Sequence, residues 1–372
     1  MAWTERYVRA DAAGSGDGTT DTNSGANGAF TLAEAITHSA TNTGIRYNVK
    51  GASGTFANAG TSRTFNGVGL TTAPNWWRGY NTVIGDLDNV ADGAFPSITF
   101  TGTANMVASG AHQIFTSLNI SGANTSGSQL SVSGGNIVID RIRVENTGAN
   151  ALSVAIGVSG NGVRISNSWF KATSSATRVV NVNAGATELK GCTWEGGGIG
   201  LDIASTCVAY KSIARDNGSH GINLNSTNSM TIIDCTIYSA GGDGIRITTV
   251  PGPISAITNC EITDSSGYGI NNNTGTNTNV VSRYGNTFYN NGSGPENGFG
   301  DSPSLNQLTE SGAPFTNAAS GDFSLVTASV SKTTGLPGKS ENLGTTSYAD
   351  RGAVQHPDPA GGSIAFPVAR AI

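Results

Sequence analysis

The chain has 372 residues, a net charge of −5 and only 12% charged residues, against 52 glycines and 37% hydrophobic residues. With no Lys/Arg cluster to neutralise phosphates, this composition argues against a nucleic-acid partner, and no window approaches the ~18 apolar residues of a membrane span. Helix formers are scarce and turn formers abundant, which predicts a β-rich chain with many tight turns.

The opening MAWTERYVRADAAGSGDG lacks the basic and apolar regions of a secretory signal, so synthesis in a cytoplasm without Sec export is expected. FTLAEAITHSA (30–40) is the one convincing amphipathic helix, with Thr31 as N-cap and Glu34 three residues on completing a capping box. GIRYNVKG, NTVIG and SITFTG then read as short strands, as does RYGNTFYNN much later. Among them PNWWRGY (74–80) gathers Trp76, Trp77, Arg78 and Tyr80. Such a cluster is either ordinary packing or a contact surface, and on a strand Trp76 and Trp77 point to opposite sides.

From residue 115 the chain repeats. FTSLNIS (115–121), IDRIRVE (139–145), ISNSWFK (165–171), LKGCTWE (189–195), AYKSIAR (209–215), IIDCTIY (232–238) and ITNCEIT (257–263) share one pattern. An inward residue is followed by two turn-like residues, then by two inward residues separated by an outward one. The middle inward slot holds Leu118, Ile142, Ser168, Cys192, Ser212, Cys235 and Cys260, at steps of 20 to 26 residues. A turn and a second short strand follow each, opened in the last four repeats by GIGL, SHGI, GDGI and GYGI. Units this short cannot bury their own apolar edges and must stack. Strands of one chain wound in one direction pair in parallel, so the predicted fold is all-β, a single right-handed parallel β-helix of roughly ten rungs spaced ~4.8 Å apart. Residues 1–45 would supply an opening loop and cap helix, 46–291 the β-helix, and 292–372 an irregular cap and tail over the last rung, all one structural domain. The apolar tail GGSIAFPVARAI (361–372) is expected to pack on a neighbour or on the last rungs.

Cys192, Cys207, Cys235 and Cys260 lack metal-binding spacing, and His38, His112, His220 and His356 are scattered, so buried thiols and no zinc are expected. No cofactor is expected, and calcium at isolated Asp sites stays open.

Equivalent outward slots of successive rungs stand side by side. Ser121, Glu145, Lys171, Glu195, Arg215, Tyr238 and Thr263 occupy one of them, which predicts a surface ion-pair ladder rather than catalytic carboxylates. Before the second strand lie Arg178, Ile199, His220, Asp243 and Tyr268, with Arg246 on the strand of Asp243. His220, Asp243, Arg246 and Tyr268 would then gather into a catalytic or ligand site, although Asp243 in Gly-Gly-Asp-Gly equally suits a turn. Asp216 and Asp264 share a turn slot two rungs apart, ~9.6 Å, near the ~6.5 to 9.5 Å of an inverting glycosidase pair. The candidate catalytic set is therefore Asp216, His220, Asp243, Arg246 and Asp264. The candidate binding surface is Trp76, Trp77, Arg78, Tyr80 and Tyr268.

YVRADAAGSGDGTT followed by AFTLAEAI and IRYNVKGASGTF resembles the opening of right-handed β-helix proteins of the pectate-lyase-like superfamily, and SGDFSLV with DRGAVQ resembles their C-terminal ending. β-Helices of this kind without a signal peptide resemble bacteriophage virion surface proteins such as tailspikes and capsid decorations. The resemblance implies a structural or binding protein displayed on a virion as decoration, fibre or spike. Its implied partners are two further copies in a homotrimer, other virion proteins and a cell-surface polysaccharide. The alternative is a polysaccharide-degrading lyase or glycoside hydrolase. The lyases of that superfamily hold calcium with clustered carboxylates on one sheet, and no outward slot of this sequence stacks three.

Overall fold

The computed structural model describes residues 3–88, 94–149, 152–157, 162–173, 177–183, 185–252, 255–275, 281–300, 304–332, 334 and 350–354. Each rung visits a first sheet of twelve strands, a second of eleven and a third of ten, all paired in parallel. One rung runs through Met230–Ile233, Thr236–Tyr238 and Ile245–Ile247 before returning to the first sheet at Ala256–Thr258.

The first corner is made by two residues. The leading one is left-handed in every rung from Ser117 through Asp234 to Asn306, with φ between 47° and 62°. Residue identity at this point is free because Asn, Asp and Gly tolerate that region and the stack over-determines it elsewhere. The second corner residue turns inward, and these are the residues of the predicted middle slot, Leu118 to Cys260, all buried. Where that slot is polar it closes its own bonds: Ser168 Oγ accepts from the amide of Ile142 (3.2 Å) and donates to the carbonyl of Ser166 (2.7 Å). Where it is cysteine, the thiol donates to a carbonyl, as Cys235 does to Ile233 (3.3 Å). All four cysteines are buried free thiols, and burial pushes Cys192 up to about 12.

The inward columns interlock by volume. Trp194 is paired with Ala214 on the next rung and Leu189 with Ala209, so a large side chain fills the space a small one leaves. The second glycine of GDGI has the opposite task of leaving room. A Cβ on Gly244 would lie 2.5 Å from Ile262 Cγ2 and 2.7 Å from the carbonyl of Gly269, and Gly221 is equally tight against Ile237.

Both ends are closed. The helix Leu32–Ser39 has the predicted capping box at Thr31 and Glu34, and it buries Leu32 and Ala35 in the core beside Tyr47 and Phe65. A strand Thr4–Val8 precedes it and pairs with Ile45–Lys50. At the other end the inward columns terminate in charge: Arg283 follows Ile257 and Glu296 follows Ile270. Their side chains pair inside at 3.2 Å with Phe299 lying 3.6 Å from the guanidinium.

Three expectations need correction. NTVIG is a loop, because the strand of that rung is Asn75–Tyr80. The repeat does not dissolve at 292, since Gly294–Asn297, Ser304–Leu305 and Leu308–Thr309 extend all three sheets by one more rung. The described residues of the C-terminal part lie along the outer face of the second sheet, with Arg351 reaching the last rung at Asn306. The hairpin of this part, Phe315–Asn317 and Asp322–Leu325, packs Phe315, Phe323 and Leu325 on Ile213 and Tyr238, and Ala353 donates to Thr236 Oγ1 (2.9 Å). The physical reason is that outward slots from Ile213 onward hold apolar or uncompensated side chains that need cover. Residues 361–372 lie outside the described residues.

Candidate functional site

The proposed catalytic residues fall into two groups. Asp216 and Asp264, with Ser239 between them, are left-handed corner residues at φ 55°, 55° and 56°. The backbone therefore accounts for their type, as Asp and Asn enter that region most readily. Asp264 accepts from Asn290 Nδ2 at 2.7 Å. The charges that act on Asp216 are Arg215, Glu195 and Lys171 of the second sheet, whereas those that act on His220 are Arg246 and Asp243.

The second group is assembled as the register demanded. His220, 9% exposed, opens the third-sheet strand His220–Leu224. Its Nδ1 receives the amide of Asp243 (3.1 Å) and its Nε2 lies 2.8 Å from Arg246 Nη1. The Asp243 carboxylate is occupied by the rung above, accepting from the amide of Tyr268 (3.0 Å) and from Asn271 Nδ2 (2.9 Å). Burial first, and then the charge of Arg246, hold the imidazole below its ordinary pKa, outweighing the opposing pull of Asp243. The ring is neutral at neutral pH. One rung below His220, Asp202 is likewise engaged, as an ion pair with Arg178 Nε (2.6 Å) and by a hydrogen bond from Asn223 Nδ2 (2.7 Å).

The open part of the second sheet forms a groove of about 560 Å³ floored by the predicted ladder. Glu195 takes Lys171 Nζ at 2.9 Å, Arg215 Nη2 at 2.5 Å and Trp169 Nε1 at 3.2 Å. Burial would raise its carboxyl, but the hydrogen bonds from Arg215 and Lys171 prevail and hold it below the usual carboxylate range. A carboxylate so saturated is an anchor, not a base. Trp169, with Arg143 4.7 Å from its ring, and Phe95 also line this groove. The sequence reading passed over both, although an aromatic in the outward slot of ISNSWFK was a usable signal.

A family model described as "Right handed beta helix region" matches residues 173–292. The pectate lyase Pel9A superposes over 95% of this chain and 96% of its own, at 14% identity and a TM-score of 0.63. The chain has the right-handed parallel β-helix fold. A rhamnogalacturonan lyase matches at 11% identity over 76% of this chain and 87% of that one, with a TM-score of 0.48. The enzymatically active domain of tailspike protein 2 of bacteriophage CBA120 matches at 11% identity over 70% and 41%, with a TM-score of 0.39. No curated protein matches this sequence.

On this β-helix the expected aromatic surface is mostly buried. Trp77 is fully buried and stacks on Tyr47 at 4.2 Å, and Tyr80 is 1% exposed. Arg78 is buried and held by Asp88 through Nε at 2.8 Å. Trp76 alone of the four stays partly exposed, with its indole donating to Thr116 Oγ1 (2.9 Å) and Arg46 and Arg78 near its ring. Alternation along the strand turns Trp77 into the core and leaves Trp76, Arg78 and Tyr80 on the outer face, where Arg78 and Tyr80 are covered by other parts of the chain. Tyr268 remains half-buried beside Asp243. Among the described residues no three His, Cys, Asp or Glu side chains come together as a metal site, and no helix is long and apolar enough to cross a membrane.

Proposed function

We propose that this β-helix is a structural, carbohydrate-binding protein displayed on a virion surface as a decoration, fibre or spike, in a homotrimer. The observation that carries the carbohydrate reading is the outer face of the third sheet. Its carboxylates are both engaged, Asp243 by two internal donors and Asp202 by a hydrogen bond from Asn223 and an ion pair with Arg178, which leaves no carboxylate there poised as acid or base. The groups still turned outward are Arg246, Asn271 and Asn297, which share one slot in successive rungs, with Tyr268 beside them. A rigid row of donors in successive rungs, ~4.8 Å apart, suits a hydroxyl-rich chain laid across the strands, and it favours binding over turnover.

Assembly into a trimer is supported by the first sheet, whose outward column carries Trp76, Ile114 and Val138 in consecutive strands and an exposed Val208 further along. An apolar strip on a lateral face is where a second copy would lie.

The test is a screen of anionic and neutral polysaccharides against the intact chain, with Asn271→Ala and with light scattering for mass. Binding that weakens in Asn271→Ala, without shortened products and with a trimeric mass, is the expected result. Released oligosaccharides that vanish in Asp243→Ala or Asp216→Ala would overturn it in favour of a lyase or hydrolase.

A further inference from the structure

We propose that residues 329–332 and 350–354 form a strap over the second sheet, released by alkali when Glu261 beneath it ionises, while the β-helix stays wound. This device is independent of the carbohydrate reading above.

The strap is fastened from outside the repeat. The amide of Gly352 donates to the carbonyl of Asn259 (2.7 Å) and that of Ala353 to Thr236 Oγ1 (2.9 Å). The amide of Arg351 donates to the carbonyl of Ser331 (3.1 Å), which ties the two stretches together. No strap residue belongs to the apolar core, and its partners on the repeat are backbone groups and outward side chains. A segment held only on the outside of a stacked solenoid can lift without breaking the ladder beneath it.

Under the strap Glu261 is fully buried, between Thr236 and Thr287 of the adjoining strands. Its Oε2 accepts from Ser331 Oγ, and its Oε1 has no partner. Such a group is tolerated when neutral and costly when charged. The charges that act on it are Glu310 and Arg351. Glu310 repels a second anion and already accepts from Ser329 Oγ and from the amides of Val330 and Ser331. Arg351 attracts one, but its guanidinium is engaged by the carbonyls of Asn286 (3.0 Å), Asn306 (2.8 Å) and Thr334 (3.0 Å). Burial, opposed by the Ser331 bond and aided by Glu310, pushes the carboxyl from 4.5 up to about 8.

The strap lies directly on this group. Gly352, at φ 94°, brings the backbone so close that a Cβ there would stand 2.9 Å from Thr236 Oγ1 and 3.0 Å from Glu261 Cβ. Water therefore reaches a charged Glu261 only when the strap lifts. Below pH 4.5 the carboxyl is protonated whether the strap is down or lifted, and docking is at full strength. Between 4.5 and 8 only the lifted form ionises, so docking weakens as pH rises, and above 8 the loss is complete. Release uncovers Thr236, Glu261 and Thr287 in three successive strands.

The experiment follows amide hydrogen exchange in the intact chain from pH 5 to pH 9, each rate referred to that of an unstructured peptide at the same pH. Protection of the Arg351, Gly352 and Ala353 amides is expected to fall about a hundredfold or more across that range. The rung amides of Thr236 and Glu261, which donate to the carbonyls of Ser212 and Cys235 (2.9 Å each), should stay about a hundredfold better protected than the strap at pH 9. In Glu261→Gln the strap amides keep their protection at pH 9. Ser331→Ala lowers it already at pH 5, and Asp17→Asn, an exposed carboxylate of the opening loop, changes nothing. Trypsin cleavage after Arg351, only 3% exposed, gives a second reading: from pH 7 to 9 it should accelerate more than cleavage of a small peptide does, and not in Glu261→Gln. Equal protection of strap and rung amides at pH 9 overturns the proposal, since the strap then opens only with the whole chain. The same fall in wild type and Glu261→Gln, or no fall in either, overturns it as well.

Discussion

Glu261→Gln should make the protein less sensitive to alkali. Glu261 occupies an outward slot of the second sheet yet is 0% exposed, because the C-terminal segment lies over it. Its Oε2 accepts from Ser331 Oγ and its Oε1 has no partner. Glu310 faces it while accepting Ser329 Oγ at 2.5 Å and the amides of Val330 and Ser331 at 3.1 Å. Arg351 stands near but directs its guanidinium at the carbonyls of Asn286 (3.0 Å) and Asn306 (2.8 Å). Burial therefore dominates, opposed by the Ser331 bond and by Arg351 and aided by Glu310, and pushes the carboxyl from 4.5 up to about 8. Below pH 4.5 folded and unfolded chains both carry the proton, and the group leaves stability untouched. Between 4.5 and 8 the unfolded chain ionises while the folded one does not, so stability falls as pH rises, and above 8 the loss is complete. At 1.36 kcal/mol for each factor of ten, that gap amounts to about 5 kcal/mol. Urea unfolding of both proteins from pH 4.5 to 9 reads the difference directly. The variant should match the wild type near pH 4.5 and exceed it by several kcal/mol at pH 9. A difference that stays constant across the range would refute the burial argument.

Other outcomes follow from the same geometry. Glu195→Gln leaves Lys171 and Arg215 facing each other without their shared anion. It should cost about 1 to 2 kcal/mol at low salt and less in 1 M salt, measured by urea midpoints. Because Arg215 and Lys171 hold the Glu195 carboxyl down, their contribution should persist on acidification until pH falls below the ordinary carboxylate range. Gly244→Ala, whose Cβ would meet Ile262 at 2.5 Å, should cost about 2 kcal/mol or more, whereas Gly312→Ala, with nothing within 4 Å, should stay within about 0.5. Equal melting temperatures for the two would contradict the close-approach account. Thr31→Ala removes the capping box and should cost about 1 kcal/mol, seen as faster hydrogen exchange across Leu32–Ser39.

Much of the solenoid could be read because its information is local and repeated. The outward column Ser121, Glu145, Lys171, Glu195, Arg215, Tyr238 and Thr263 is paired residue by residue as the alignment implied. The neighbourhood of His220, Asp243, Arg246 and Tyr268 followed from the same register. Tyr238 shows where that reasoning stopped. In its column it looked like the outer end of an ion-pair ladder, but its ring packs on Phe323 at 5.6 Å. Arg283 and Glu296 carried an unused signal, since charge in two inward slots marks where the core ends.

The sequence by itself determined the winding. Alternation of period two, glycines at the corners and a period of 20 to 26 residues leave one way to bury the apolar slots, by stacking in register. Only the tertiary structure decided which outward residues reach solvent. The residues that cover Thr236, Glu261 and Thr287 are Ala353, Ser331 and Arg351, far along the chain and outside the repeat. It likewise took coordinates to find the Asp243 amide and Arg246 at the two nitrogens of the His220 ring. Hydrogen-bond satisfaction depends on distances of a few tenths of an ångström, which no pattern of residue types specifies.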